Sequence, residues 1–192
     1  MRRVTTLSIL ALLAVTACSD NTLSPALRQL AASRPNASAA AQPRPFKISQ
    51  TWAPSDNDYE HYQNCEVTIP NPVIPGESID LVISGLLHSS GTATHLGRYT
   101  ADTYIDGCTW NAQAGALDIT GHMVAMTANG ETLSGALTAQ ATFGLNGSDF
   151  VGTMTIVGGT GRFAGASGSS SMNSHDAPDG SGVGWGSGWI VY

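Results

Sequence analysis

The chain has 192 residues, of which only 11% are charged, and its formal net charge is −6 at pH 7. From residue 46 onward its only Lys and Arg residues are Lys47, Arg98 and Arg162, against a large excess of Asp and Glu. Such an acidic domain is not expected to bind the phosphate backbone of a nucleic acid.

The first seventeen residues have the pattern of an export signal. Two arginines precede an apolar run from Leu7 to Val15, which is much shorter than the ~20 residues of a membrane-spanning helix. The run ends in VTAC, which resembles the lipobox of bacterial lipoproteins, where the cysteine is acylated and becomes the mature N-terminus. The resemblance implies a lipoprotein signal peptide over residues 1–17 and lipidation of Cys18.

Lipidation of Cys18 implies a location at the bacterial cell envelope, since each acyl methylene buried in a bilayer contributes ~0.8 kcal/mol. A membrane is therefore an expected partner. Ser19 rather than Asp follows Cys18, which favours sorting to the outer membrane. Ordinary secretory cleavage next to an incidental cysteine is the alternative.

Residues 18–45 are rich in Ala, Pro, Ser, Asn and Gln and have no sustained apolar period. Such a segment does not bury enough surface to offset its ordering entropy, so we predict a lipidated flexible tether. Residues 46–192 are long enough to enclose one hydrophobic core and are predicted to form a single domain.

An acidic loop follows the first predicted strand of this domain. Residues 56–64, DNDYEHYQN, gather acidic side chains around His61, but the glycine and the distal glutamate of an EF-hand calcium loop are missing. We therefore favour a solvated loop over a calcium site and predict no metal.

Cys65 and Cys108 form an even pair once Cys18 is assigned to lipid. In an oxidising compartment such a pair predicts a disulfide. The alternative is a zinc site, but two thiols without a nearby pair of histidines make a poor zinc site.

The rest of the domain is predicted to form strand after strand, because short apolar stretches alternate with clusters of Gly, Asn, Asp and Pro. No stretch keeps a helical period for three turns. The predicted strands are Phe46–Trp52, Ile79–Leu87, Thr92–Tyr104, Gly115–Thr127, Thr132–Phe143, Phe150–Val157, Arg162–Met172 and Val183–Tyr192.

The connections between these strands indicate an antiparallel sheet. Asn129-Gly130 and Asn146-Gly147 are signals for tight hairpins of type I′, whose strands must be antiparallel. An even set of such strands can close on itself and so remove both sheet edges. We predict an eight-stranded antiparallel β-barrel whose interior is filled or holds one small ligand; a two-sheet sandwich is the alternative.

Residues 159–164, GTGRFA, satisfy the G-x-G-x-x-A pattern of dinucleotide-binding proteins. That mechanism requires a following helix, whose N-terminus holds the pyrophosphate, and the glycines and serines that follow disfavour a helix. We predict instead that Gly158, Gly159 and Gly161 form a hairpin turn, with positive φ angles that are unfavourable for residues with a side chain. Phe163 is then a core residue beside the turn.

Residues 152–169, GTMTIVGGTGRFAGASGS, resemble the strand, glycine turn and strand of plant dirigent proteins and of allene oxide cyclase barrels. Residues 90–100, with the later TANGETL, are similar to secreted bacterial proteins of unknown function that end in the same GGTGRF hairpin. The resemblance implies an eight-stranded barrel with a cavity. The hairpin is a fold marker, so it assigns no catalytic residue.

Four residues are candidates for lining that cavity. A period of two places His95 and Tyr99 on one face of a strand, although a histidine hydrogen-bonded at the start of the strand is the favoured alternative. Trp185 and Trp189 share one face of the last strand, where they line an apolar ligand site or, as we favour, fill the core.

These features predict an envelope lipoprotein that binds a small apolar molecule or another surface component, without a cofactor. The alternative is a cyclase or isomerase acting on an apolar substrate in the barrel cavity. Because no G-x-S-x-G or similar nucleophile motif is present, binding without turnover is favoured.

Overall fold

The computed structural model describes residues 42–60 and 62–192. The predicted signal peptide, the proposed lipidation site Cys18, nearly all of the predicted tether and His61 lie outside these residues. The strands are β1 Arg44–Trp52, β2 Asn57–Asp58, β3 Cys65–Pro70, β4 Ser78–Ile83, β5 Leu86–Ala93, β6 Gly97–Asn111, β7 Ala116–Thr127, β8 Thr132–Gly144, β9 Gly147–Gly159, β10 Ser167–Asp176 and β11 Gly182–Val191.

Eight of these strands form a closed barrel. Their order is β1-β11-β10-β9-β8-β7-β6-β5, every neighbouring pair is antiparallel, and β5 pairs again with β1 from Ile48 opposite Ala93 to Thr51 opposite Ser90. The predicted eight-stranded antiparallel barrel is therefore confirmed. The two-sheet sandwich is wrong, because the β1–β5 pairing joins the two edges of a single sheet.

The barrel has two distinct ends. The basal end holds the start of β1 and the turn of residues 160–166. The mouth end holds the end of β1, the turn of residues 177–181 and the excursion of residues 53–85 between β1 and β5. Within that excursion β3 and β4 form a separate hairpin, and β2 adds to the edge of β5.

The Cys65–Cys108 disulfide is present, with 6.0 Å between the Cα atoms, and it ties β3 to β6 of the barrel. Side chains of the hairpin, among them Val67 and Leu81, pack on a buried cluster that includes Leu117 and Ile119 of the barrel. The hairpin therefore covers part of the mouth end.

The predicted strand Ile79–Leu87 is wrong as a single element. It is divided at Ser84 and Gly85 between β4, which lies outside the barrel, and β5, which belongs to it. Gly85 lies against the backbone of Gln63 and the ring of Tyr62, where a Cβ has no room. The chain changes sheets at this close approach.

The glycine stretch of residues 158–165 forms the connection between β9 and β10. It contains one three-residue 3₁₀ turn, Gly161–Phe163, far too short for a nucleotide-binding helix. The predicted strand from Arg162 is wrong at its start, since β10 begins only at Ser167. Gly161 and Gly165 have φ of +58° and +77°. These values lie in the left-handed region, which favours glycine, so the chain is not extended at these positions.

Of the predicted hairpin glycines, Gly158 also has positive φ, at +149°, whereas Gly159 does not and is needed for another reason. An added Cβ on Gly159 would meet the Thr132 carbonyl oxygen and lie 2.9 Å from Phe163 Cβ. Phe163 itself is fully buried, and the prediction that it is a core residue is confirmed. Neither predicted Asn-Gly turn is of type I′, because His95 is the only described non-glycine residue with positive φ.

Among the described residues, no helix is long and apolar enough to cross a bilayer. No group of three or more His, Cys, Asp and Glu side chains within residues 42–60 and 62–192 is arranged to hold a metal ion.

Candidate ligand-binding cavity

The interior of the barrel is packed at the basal end and hollow toward the mouth. The basal half holds a dense cluster that includes Phe46, Tyr99, Met154 and Phe163. Between it and the mouth lies a cavity with about 90 Å³ of space for the centres of water-sized atoms. Because one water needs roughly 10–15 Å³ on this measure, the cavity holds several waters or a small organic molecule.

Glycines on the inner face of β11 make room for two of the side chains that line the cavity. Trp52 of β1 and Asp176 of β10 lie opposite Gly182 from its two sides. An added Cβ on Gly182 would meet Trp52 Cε2 at 2.5 Å, so the indole lies over the glycine, in the gap between β1 and β10. Gln50 lies against Gly184 in the same way.

The wall across the lumen is apolar. Side chains of β6 to β9 form it, where alternate residues point inward, and they include Ile105, Ile119, Leu137 and Phe150. The cavity thus has a polar wall on β1 and β10 facing an apolar wall, an arrangement that suits an amphipathic ligand.

Two residues that line this cavity each have a buried polar atom without a protein hydrogen-bond partner. Within the described residues these are Trp52 Nε1 and Thr103 Oγ1, and their side chains belong to residues that are only 6% and 7% exposed. Both residues line the cavity. Leaving a buried donor or hydroxyl unpaired costs about 1–3 kcal/mol, so a ligand that pairs with them recovers this cost on binding.

Asp176 supplies a carboxyl group at the same cavity. Burial raises the pKa of Asp176 to about 6, although the nearby His175 opposes the shift. The pKa of Tyr59 is also raised, by its own burial first and by the charge of Asp176 second. The mouth therefore holds a carboxyl group that changes its charge near neutral pH.

A hydrogen-bonded polar cluster forms the floor of the cavity. Gln50 Oε1 accepts hydrogen bonds from the Tyr99 hydroxyl at 3.1 Å and from the Ser89 hydroxyl at 3.4 Å. Burial raises the pKa of Tyr99, so its hydroxyl keeps its proton at neutral pH. Tyr99 therefore orients Gln50, which lines the cavity.

Hydrogen bonds from two side chains stabilise the mouth. Asn57 Nδ2 donates to the Gly180 carbonyl at 3.0 Å, which connects β2 to the turn between β10 and β11. The Ser84 hydroxyl lies 2.6 Å from the Leu86 carbonyl, to which it donates, and 3.1 Å from the Asp58 carbonyl. The excursion of residues 53–85 is thus held at the rim of the cavity.

The structure does not bring together the four residues predicted to line the cavity. His95 lies in the turn before β6 with φ of +75°, and its Nε2 donates to the Pro45 carbonyl at 3.1 Å at the basal end. The predicted alignment of His95 with Tyr99 on one strand is wrong, because this turn interrupts the alternation. Tyr99 is inside the barrel, where it contacts the floor.

Trp185 and Trp189 lie outside the lumen. They are 52% and 45% exposed, so the prediction that they fill the core is wrong, and neither lines the cavity described above. The inward positions of β11 are glycines because Trp52 and Gln50 of the neighbouring strand occupy the space above them.

Sequence reasoning missed Trp52, Thr103 and Asp176. Trp52 ends a predicted strand and lies two residues after Gln50, so both side chains lie on the same face of that strand. A polar and an aromatic residue together on an inward face could have indicated a ligand site. Thr103 and Asp176 had no such signal, because each occupies a strand whose other face is also polar.

The raised pKa of Asp176 predicts a pH-dependent stability. The unfolded chain releases this proton near pH 3.8 and the folded chain near pH 6, so folding takes up a proton between these values. The free energy of unfolding therefore falls as pH rises through this window. Asp176→Asn is expected to raise it by about 1–3 kcal/mol at pH 7, with a smaller gain at pH 3, in urea titrations at both pH values.

Asp179→Asn is the control for this substitution. The pKa of Asp179 is lowered, chiefly by hydrogen bonds from Ser181, so its carboxylate stabilises the fold above its pKa and the pH dependence has the opposite sign. A gain for Asp176→Asn that is the same at both pH values would contradict the assignment of a raised pKa to Asp176.

Comparison with known proteins gives little further guidance. No protein-family model matches the chain, and a search of curated proteins gave no match. Among solved structures the chain is similar to a pterocarpan synthase dirigent protein, with a TM-score of 0.40 and 15% identity over 93% of this chain and 97% of that one. The pairing of β5 with β1 remains the evidence for the closed barrel.

Proposed function

We propose that this protein binds a small, largely apolar molecule with a hydrogen-bonding group in the lumen of its barrel. The unpartnered Trp52 Nε1 and Thr103 Oγ1 are the observation that carries the proposal. Both residues line a cavity whose wall on β6 to β9 is otherwise apolar. A ligand acceptor atom at Trp52 Nε1, which only donates, satisfies one of them directly.

The proposal includes attachment to the bacterial cell envelope, with the outer membrane as the expected site. Its support is the VTAC sequence ending at Cys18. In an expressing bacterium, Cys18→Ser is expected to move the protein from the membrane to the soluble fraction, and the mass of the mature wild-type N-terminus is expected to include acyl chains. An unmodified mature protein would exclude the lipid anchor and leave ligand binding unaffected.

A second candidate function is that of a cyclase or isomerase. The observation in its favour is Asp176, a cavity carboxyl whose pKa of about 6 lets it both take and give a proton near neutral pH. Such an enzyme would convert a bound compound into an isomer of the same mass, which chromatography of the bound fraction resolves. Loss of that conversion in Asp176→Asn, with binding retained, would support the enzyme.

Native mass spectrometry of the full chain purified from its own envelope tests the binding proposal. We expect the wild-type protein to retain a small molecule and Thr103→Val to lose it, because valine keeps the shape of threonine and removes the hydroxyl. In the ligand-free state the same substitution should raise the free energy of unfolding by about 1 kcal/mol, since it removes an unpaired buried hydroxyl.

Thr100→Val on the same strand is the matched control. Thr100 faces the solvent, so its substitution should change neither the retained molecule nor the stability by more than about 0.5 kcal/mol. Equal retention by wild type and Thr103→Val, or repeated recovery of empty wild-type protein, would argue against a ligand at this cavity.

A further inference from the structure

The charged side chains of the barrel are divided between its two ends. Within the described residues, every Lys and Arg lies toward the basal end, at the start of β1, at the start of β6 or in the turn after β9: Arg44, Lys47, Arg98 and Arg162. One acidic side chain at that end, Glu131, pairs with Arg162 at 3.1 Å. The basal end is therefore the positive end of the molecule.

The mouth end has the opposite charge. The excursion that covers it and the strand ends and turn that surround it carry Asp56, Asp58, Glu60, Glu66, Glu77, Asp80, Asp149, Asp176 and Asp179. No Lys or Arg lies in that part of the described chain. A cleft lined by one sign of charge concentrates ligands of the other sign and repels those of the same sign.

Inside the mouth, the carboxyl group of Asp176 has no hydrogen-bond partner in the protein, although His175 interacts with it electrostatically. No described residue donates a hydrogen bond to it or forms an ion pair with it, and it lines the same cavity as the unpartnered Trp52 and Thr103. A half-buried carboxylate is normally paired. The cavity therefore offers a free negative group next to free neutral hydrogen-bonding groups.

Aromatic rings accompany this carboxyl group. The Trp52 indole lies over Gly182, the residue between Trp52 and Asp176 in the sheet, and Phe150 belongs to the opposite wall. A carboxylate beside aromatic faces binds an ammonium group through a charge-assisted hydrogen bond and a cation–π contact. Neither a neutral nor an anionic ligand gains from both.

We propose that the ligand of this cavity is a small organic ammonium compound, with its positive nitrogen at Asp176, an acceptor atom at Trp52 Nε1 and its apolar skeleton against the wall of β6 to β9. This inference rests on the proposed binding function and names the ligand class of the same site. The charge division between the two ends and the unpartnered carboxyl are independent observations that both select a cation.

Other titratable groups face Asp176. His175 on the same strand is paired with Asp149 of β9 at 2.8 Å, Tyr59 belongs to the segment before β3, and Asp179 of the adjoining turn is held by Ser181. The imidazole of His175 is hydrogen-bonded to Asp149, and no hydrogen bond joins it to Asp176. Ammonium binding should therefore strengthen as pH rises through about 6, where Asp176 loses its proton.

The test compares three one-ring probes that differ in charge: benzylamine, benzyl alcohol and benzoate. Their affinities for the full chain are measured by calorimetric titration or by ligand-observed NMR. We expect benzylamine to bind most tightly and benzoate most weakly. Asp176→Asn should weaken benzylamine binding at least about tenfold, abolish its pH dependence and leave benzyl alcohol unchanged.

Asp80→Asn is the matched control, because it removes a charge from the acidic mouth end at an exposed position on β4, where its hydrogen-bond partner is Thr68. Its effect on benzylamine should be small. Binding of benzyl alcohol or benzoate as tight as that of benzylamine would overturn the ammonium inference while leaving cavity binding in place. A molecule without a basic nitrogen, retained by the envelope-purified protein, would overturn it in the same way.

Discussion

Phe163→Ala is expected to lower the free energy of unfolding by about 3–5 kcal/mol, the cost of removing a large aromatic side chain from a packed core. Phe163 is fully buried in the turn that closes the basal end of the barrel. Its ring lies 5.2 Å from the ring of Tyr192, and the Arg162 guanidinium lies 4.9 Å from its centre. The residue therefore joins the β9–β10 connection to the C-terminal end of the chain.

The cavity left by this substitution will not close easily. The surrounding backbone is fixed by the barrel, and Gly159 already lies close to the Phe163 Cβ. Urea unfolding followed by circular dichroism measures the loss. Leu145→Ala, in the exposed turn between β8 and β9 with 79% of the residue accessible, is the control and should stay within about 0.5 kcal/mol. A loss below 1 kcal/mol for Phe163→Ala would show that the turn is not part of the core.

Removal of the Cys65–Cys108 disulfide should cost up to about 4 kcal/mol in the loop-entropy model, because the bond closes a loop between residues 43 positions apart. The loss should have a local signature as well. The β3–β4 hairpin makes no backbone ladder with the barrel, so its amide hydrogens should exchange faster in Cys65→Ala/Cys108→Ala than those of the eight barrel strands.

Thermal unfolding and hydrogen exchange measure these two effects. Leu145→Ala, in the exposed turn between β8 and β9, is the control and should leave both measurements unchanged. Because the hairpin covers the mouth, the double variant should also release any retained ligand faster. Unchanged exchange in β3 and β4 would mean that apolar packing alone holds the hairpin in place.

Much of the barrel follows from local patterns in the sequence. In residues 132–143 the alternation of apolar and polar side chains predicted both the strand and its inward face. Leu133 and Leu137 of that face are buried as expected. The short connections at residues 128–131 and 145–146 specified antiparallel neighbours. Turn residues and a period of two depend on residues that are only a few positions apart, so both can be recognised from the sequence alone.

Other elements were misread where a distant contact overrides the local pattern. The break at Gly85 depends on the close approach of Gln63, and the turn at His95 depends on contacts at the basal end with Pro45 and Arg162. None of these three partners is near in sequence to the residue it contacts. Alternation on β11 likewise defined two faces, but the identity of the inner face depended on Trp52 filling the space above Gly182.

The sequence by itself determined the all-β class, the antiparallel order of neighbouring strands and the pairing of the two domain cysteines, because these depend on residue type and short-range spacing. Only the tertiary structure decided which side chains meet in the lumen. Trp52, Thr103 and Asp176 come from three strands that are far apart along the chain, and closure of the sheet directs them toward one space. A cavity is the volume that packing leaves unfilled, and no local pattern specifies that volume.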